Sequence, residues 1–112
     1  MTRQVWPNGL ITEELVIGEG PEAISGNGVY INYVGTLENG SIFDTTYILK
    51  SPYNFQLGSG TVIPGFDEGV TGMKVGGKRK IIIPPALAYG DKQNGLIPPN
   101  STLTFEIQLL YI

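Results

Sequence analysis

Val62-Ile63-Pro64-Gly65-Phe66-Asp67-Glu68-Gly69-Val70 sets a proline, an aromatic ring and two acids at the start of what reads as a short helix. Proline suits the first helical position, where its missing N–H would have no partner. Asp67 and Glu68 fall in the first turn, where the helix dipole favours acids. Phe66, Val70 and Met73 share one face at helical spacing, which predicts about two or three turns. Gly76-Gly77 is the expected stop. Gly69 and Gly72 each weaken such a helix by about 1 kcal/mol relative to alanine, so it needs a surface to pack against.

The flanking segments supply that surface. Leu10 to Ile17, between Asn8-Gly9 and Gly18-Glu19-Gly20-Pro21, reads as a strand bracketed by turn signals. Val29, Ile31 and Tyr33 alternate with Tyr30 and Asn32. Asn39-Gly40 is a hairpin turn, because both residues tolerate positive φ; it joins Val29–Leu37 to Ser41–Thr46. Tyr53 to Leu57 is a short strand closed by Gly58-Ser59-Gly60. Lys78 to Ile83 is another, stopped by Pro84-Pro85 and followed by a loop from Ala86 to Ser101. In Thr102 to Ile112, Leu103, Phe105, Ile107 and Leu109 face one side and Thr104, Glu106 and Gln108 the other. Residues 1–9 read as an N-terminal extension. The expected fold is α+β: a twisted antiparallel β-sheet of about five strands with one short α-helix laid across its apolar face.

A length of 112 residues fits a single domain over 1–112. A hydrophobic share of 41% against 15% charged residues places the chain among globular sequences. The net charge of −3 argues against a general nucleic-acid binder. Lys78-Arg79-Lys80 accordingly reads as a solvated strand face and not a phosphate site. Cysteine and histidine are both absent, which removes disulfides, thiolate metal sites, cysteine nucleophiles and Ser–His triads. An enzyme built from this chain would work without ordinary acid–base chemistry, and neither metal nor cofactor is expected. Met1 to Pro7 shows no signal peptide, and no stretch approaches the roughly 20 apolar residues of a membrane span. The expectation is a cytoplasmic protein with no membrane or nucleic-acid partner.

Several apolar residues remain beside turns, where a core has no need of them: Tyr33, Phe43-Asp44, Phe55, Ala88-Tyr89-Gly90, Leu96-Ile97-Pro98-Pro99 and Phe105. Taken singly, Phe55, Val62, Ile63 and Phe105 read as plain core, Asp44 as a turn residue and Tyr89 as a packed ring. Taken together with Ile63-Pro64-Gly65-Phe66 they read as the lining of a concave apolar pocket with a few polar groups.

Tyr33-Val34-Gly35, Gly40-Ser41-Ile42-Phe43-Asp44-Thr45, Val62 to Gly69, Met73-Lys74-Val75-Gly76-Gly77, Ile83-Pro84-Pro85, Ala88-Tyr89-Gly90, Ile97-Pro98-Pro99-Asn100 and Leu103-Thr104-Phe105-Glu106 stand in an order and spacing that resembles the FKBPs. These are macrolide-binding immunophilins, a class of peptidyl-prolyl cis-trans isomerase. The resemblance implies a half-barrel wrapped around a short helix, with the pocket between them. It implies catalytic roles for Phe43, Asp44, Tyr89 and Phe105, and substrate binding by Tyr33, Phe55, Val62, Ile63, Phe66, Leu96 and Ile97. The Tyr89 hydroxyl and the Ile63 N–H would hold carbonyl oxygens of the bound peptide or drug. Proline-containing peptides, unfolded proteins and macrolides such as rapamycin are the implied partners of a monomer. A non-catalytic module that keeps the pocket is the other reading. The chain departs from the pattern at Phe66, where the family's usual floor is tryptophan, at Leu49, where many members place an arginine beside the pocket aspartate, and in the short Asp91–Gly95 loop.

Overall fold

The computed structural model describes residues 3–49 and 51–112. Its strands are β1 (Arg3–Val5), β2 (Ile11–Val16), β3 (Gly28–Thr36), β4 (Ile42–Thr45), β5 (Tyr53–Gln56), β6 (Lys78–Ile83) and β7 (Leu103–Tyr111). A single helical turn, α1 (Thr46–Leu49), follows β4, and α2 (Pro64–Val70) lies between β5 and β6. The strands form one antiparallel sheet in the order β1-β2-β6-β7-β3-β4, with β5 also on β3. Seven strands replace the five or so expected. Six of them fall on segments read as strands, and the seventh is β1, from the segment read as an extension, which adds an exposed edge to β2.

Strand β3 organises the pocket side. One edge pairs with β7 along Tyr30 to Thr36. The other is shared: Gly28 to Ile31 pair with β5, and Val34 to Thr36 with β4. At the gap the Tyr33 N–H donates to the Thr46 hydroxyl at 2.9 Å, and that hydroxyl donates to Asn32 Oδ1 at 3.0 Å. Thr46 is buried, so its hydroxyl satisfies an amide that no strand reaches.

The alternation in β7 is as expected, with Leu103, Phe105, Ile107 and Leu109 all buried. They pack with Val29, Ile31, Ile81, Ile83, Phe66, Val70 and Met73 in one core. Helix α2 lies flush on β6. A Cβ at Gly65 would fall 2.4 Å from Ile83 Cγ2, and one at Gly69 2.4 Å from Ile81 Cδ1. The glycine that weakens the helix intrinsically is therefore what lets it approach the sheet. Arg79 on β6 fastens the end of the helix, donating through Nη1 to the Gly69 and Thr71 carbonyls at 2.8 and 3.1 Å while pairing with Glu14. The middle of the basic run is thus committed internally.

The helix keeps to the short end of the two or three turns expected. It stops at Val70, not at Gly76-Gly77. Gly72 adopts φ +91° and turns its N–H to the Ala23 carbonyl, and Ala23 in turn donates to the Met73 carbonyl. Met73 still reaches the core, from the turn beyond the helix.

Candidate active site

Between α2 and the β3–β4–β5 wall lies a hollow of about 480 Å³. Its lining is Tyr33, Phe43, Asp44, Tyr53, Thr61, Val62, Ile63, Phe66, Tyr89 and Phe105. Phe66, on the first turn of α2, is the ring around which the others stand. Phe105 meets it at a centroid distance of 4.8 Å and 85°, and Tyr33 at 5.6 Å and 77°. Phe43 meets Phe105 at 5.5 Å and 84°. Edge-to-face contacts of this kind are favoured by the ring quadrupoles, and they hold the wall without filling the space in front of it. Gly35 makes room for two of these rings, since a Cβ there would lie 2.6 Å from Phe43 and 2.9 Å from Phe105.

The polar groups are few. The Tyr33 hydroxyl donates to Asp44 Oδ2 at 2.5 Å, which fixes both side chains. Burial first, and then this bond to a carboxylate, push the Tyr33 phenol far above its ordinary pKa of 10.0, so it remains a donor through the neutral range. Tyr89 is set by the Pro85–Leu87 turn that follows β6. The next residue, Gly90, donates to the Pro85 carbonyl at 2.8 Å and accepts from Asn100 at 2.8 Å. Among the described residues, the Tyr89 and Tyr53 hydroxyls and the Ile63 N–H have no hydrogen-bond partner. Ile63 uses its carbonyl instead, for the first amides of α2.

Eight of the eleven expected site residues line the hollow: Tyr33, Phe43, Asp44, Val62, Ile63, Phe66, Tyr89 and Phe105. The other three do not. Phe55 is buried in the core, touching the site through its 5.7 Å contact with Phe66. Ile97 is likewise core, 5% exposed. Leu96 is 73% exposed, because the Asn94–Ile97 bridge turns the tip of its loop outward. The side chain of Leu49 lies outside the described residues. Tyr53 and Thr61 line the hollow without having been expected there. Tyr53 could have been found from the strand period, being two residues from Phe55 and therefore on the same face of β5. Thr61, in the irregular approach to the helix, carries no such signal.

The site is thus a ring-lined hollow whose one described carboxylate, Asp44, is engaged by the Tyr33 hydroxyl, with the Tyr53 and Tyr89 hydroxyls and the Ile63 amide as isolated donors. The model of the FKBP-type peptidyl-prolyl cis-trans isomerase family matches residues 20–110, and the chain belongs to that family. It is 51% identical, over 113 residues, to peptidyl-prolyl cis-trans isomerase FKBP53 of Arabidopsis thaliana, covering 97% of this chain and 24% of that protein. An FK506-binding protein of Neisseria meningitidis serogroup B is 48% identical, over 93% of this chain and 96% of its own length. The first five curated relatives are much longer: the chain spans 22% to 30% of their lengths. Among solved structures, AtFKBP13 superposes with a TM-score of 0.92 at 42% identity, over 99% of this chain and 98% of the other. FkpA from Escherichia coli gives 0.89 at 42% identity, over 97% of this chain and 50% of the other.

Proposed function

We propose that this chain accelerates cis–trans isomerisation of X–Pro bonds in peptides and unfolded proteins, acting as a monomer. The observation that carries this reading is the open hollow over Phe66 with two unengaged donors, the Tyr89 hydroxyl and the Ile63 amide, on its walls. Uncatalysed X–Pro rotation takes roughly tens to hundreds of seconds, because the twisted amide loses its resonance. No bond is broken, so the absence of histidine and cysteine is no obstacle. The planar amide is the more polar state. Moving it out of water into an apolar hollow disfavours it relative to the twisted form, and carbonyls held by Ile63 and Tyr89 fix the chain on either side of the rotating bond. Bringing tens of seconds to milliseconds requires about 5 to 6 kcal/mol of differential stabilisation, in the range of desolvation plus one or two hydrogen bonds.

A proline-limited refolding assay or a peptide isomerisation assay tests this. Acceleration at micromolar protein is the expected result, and a rate equal to buffer overturns it. Macrolides of the FK506 and rapamycin type are proposed to occupy the same hollow and to inhibit. Rapamycin binding without isomerisation would make the chain a binding module.

A further inference from the structure

We propose that Asn94-Gly95, at the tip of the loop between the Pro85–Leu87 turn and β7, is a site of spontaneous deamidation that converts the tip from a paired turn to an open one. This stands apart from the isomerase reading. Four Asn-Gly pairs occur in the chain: Asn8-Gly9, Asn27-Gly28, Asn39-Gly40 and Asn94-Gly95. Glycine leaves its amide nitrogen unobstructed and its backbone free, so that nitrogen can reach the asparagine side chain before it. In three of the pairs the fold holds the reacting groups. Asn8 Oδ1 accepts from the Leu10 N–H at 3.1 Å, its Nδ2 donates to Glu68 at 3.0 Å, and the Gly9 N–H donates to the Trp6 carbonyl at 3.0 Å. Asn39 Oδ1 accepts from the Ser41 N–H at 2.9 Å, and the Gly40 N–H donates to the Leu37 carbonyl at 2.9 Å. Asn27 Oδ1 accepts from the Ile24 N–H at 2.9 Å, and Gly28 is fixed in β3 opposite Gln56.

Asn94 differs. Both Asn94 and Gly95 are exposed, and among the described residues neither the Asn94 side chain nor the Gly95 N–H has a hydrogen-bond partner. The turn is the reason. Asn94 and Ile97 exchange N–H···O bonds at 3.0 and 2.8 Å around Gly95-Leu96, with Gly95 at φ +55°. Positive φ at the first central residue alone is the type II′ form, which leaves that residue's N–H over. The Gly95 nitrogen is therefore free to attack Asn94 Cγ. The new N–Cγ bond replaces Cγ–Nδ2, and the Gly95 proton departs with the amide as ammonia. Water then opens the succinimide. Attack at Cγ gives aspartate; attack at the Asn94 main-chain carbonyl carbon gives isoaspartate, with the chain running through Cγ. Either product adds one negative charge. Isoaspartate also lengthens the main chain by one atom, so the bridge loses its register and Ile97 loses the pairing that turns it inward.

The test is peptide mapping by mass spectrometry of the folded protein aged in warm, mildly alkaline buffer, with isoaspartate scored by a carboxyl methyltransferase specific for it. Asn94 should convert at least about ten-fold faster than Asn8, Asn27 or Asn39, the worth of the one or two hydrogen bonds that hold each of those. In concentrated urea the four rates should converge. Aged protein should exchange the Ile97 amide hydrogen faster than fresh protein, and Asn94→Gln should abolish both the conversion and the faster exchange. Freshly prepared Asn94→Asp, which adds the charge without the extra atom, should exchange Ile97 like fresh wild type. Conversion at Asn94 no faster than at Asn39 in the folded protein, or the same ranking retained in urea, overturns the site. Unchanged Ile97 exchange in fully converted protein overturns the opening of the turn.

Discussion

Helix α2 touches the sheet on two sides, and the two contacts are built differently. Toward β6 it presents glycine: Gly65 and Gly69 sit so close to Ile83 and Ile81 that a methyl group has no room. Toward β3 and β7 it presents Phe66, whose neighbours stand edge-on and leave a hollow in front of them. The first contact is aliphatic and closed. Its role is to fix the height of the helix above the sheet. The second is aromatic and open, and its rigidity comes from ring geometry and the Tyr33–Asp44 bond. The difference shows how a small chain keeps a cavity: the side that bears the packing load is separate from the side that faces the ligand.

Changes on the closed side should cost stability first. Arg79→Met removes the pair with Glu14 and the bonds to the Gly69 and Thr71 carbonyls. With the Arg79 side chain only 12% exposed, the expected loss is about 3 kcal/mol by urea unfolding. If activity per folded molecule fell as well, the separation of the two sides would be broken. Gly65→Ala should cost about 1 to 2 kcal/mol. The methyl meets a β-branched Ile83 that is fully buried and cannot swing away, and overpacking there outweighs the gain in helix propensity.

Changes on the open side should cost activity first. Tyr33→Phe removes one hydrogen bond and about 1 kcal/mol. It also sharpens the comparison through pH. The folded protein holds the Tyr33 proton above its ordinary pKa of 10.0, whereas the unfolded chain releases it there. The stability contributed by Tyr33 is full below pH 10 and is lost as pH rises beyond it. The difference in unfolding free energy between wild type and Tyr33→Phe should therefore be flat up to pH 10 and fall above it. Tyr89→Phe is the smallest change for the fold, within about 0.5 kcal/mol. It should still lower kcat/KM about three- to ten-fold, the worth of one hydrogen bond to the twisted substrate. Equal rates would remove Tyr89 from the machinery.

The parts of this architecture governed by local rules were legible in the sequence. Asn39-Gly40 forms its hairpin, with Gly40 at φ +88°. The period of two in β7 separates the buried Leu103, Phe105, Ile107 and Leu109 from the half-buried Thr104 and Gln108 and the exposed Glu106. What was not legible depends on distant partners. The end of α2 is decided by Ala23, some fifty positions earlier, which captures both Gly72 and Met73. Strand β1 exists because β2 has a free edge, not because Arg3-Gln4-Val5 has a strand pattern. Leu96 and Ile97 are adjacent and equally apolar, and only the bridge to Asn94 determines which is buried. The aromatic wall was readable because family order and ring chemistry agree. Thr61 had neither to mark it.

Strand β7 is the last in chain order and yet lies in the middle of the sheet, between β6 and β3. On a ribosome, those two neighbours must wait with their hydrogen-bonding edges bare until residues 103–111 have emerged. Phe105 arrives on the same strand. Closing the sheet therefore also seats one wall of the hollow.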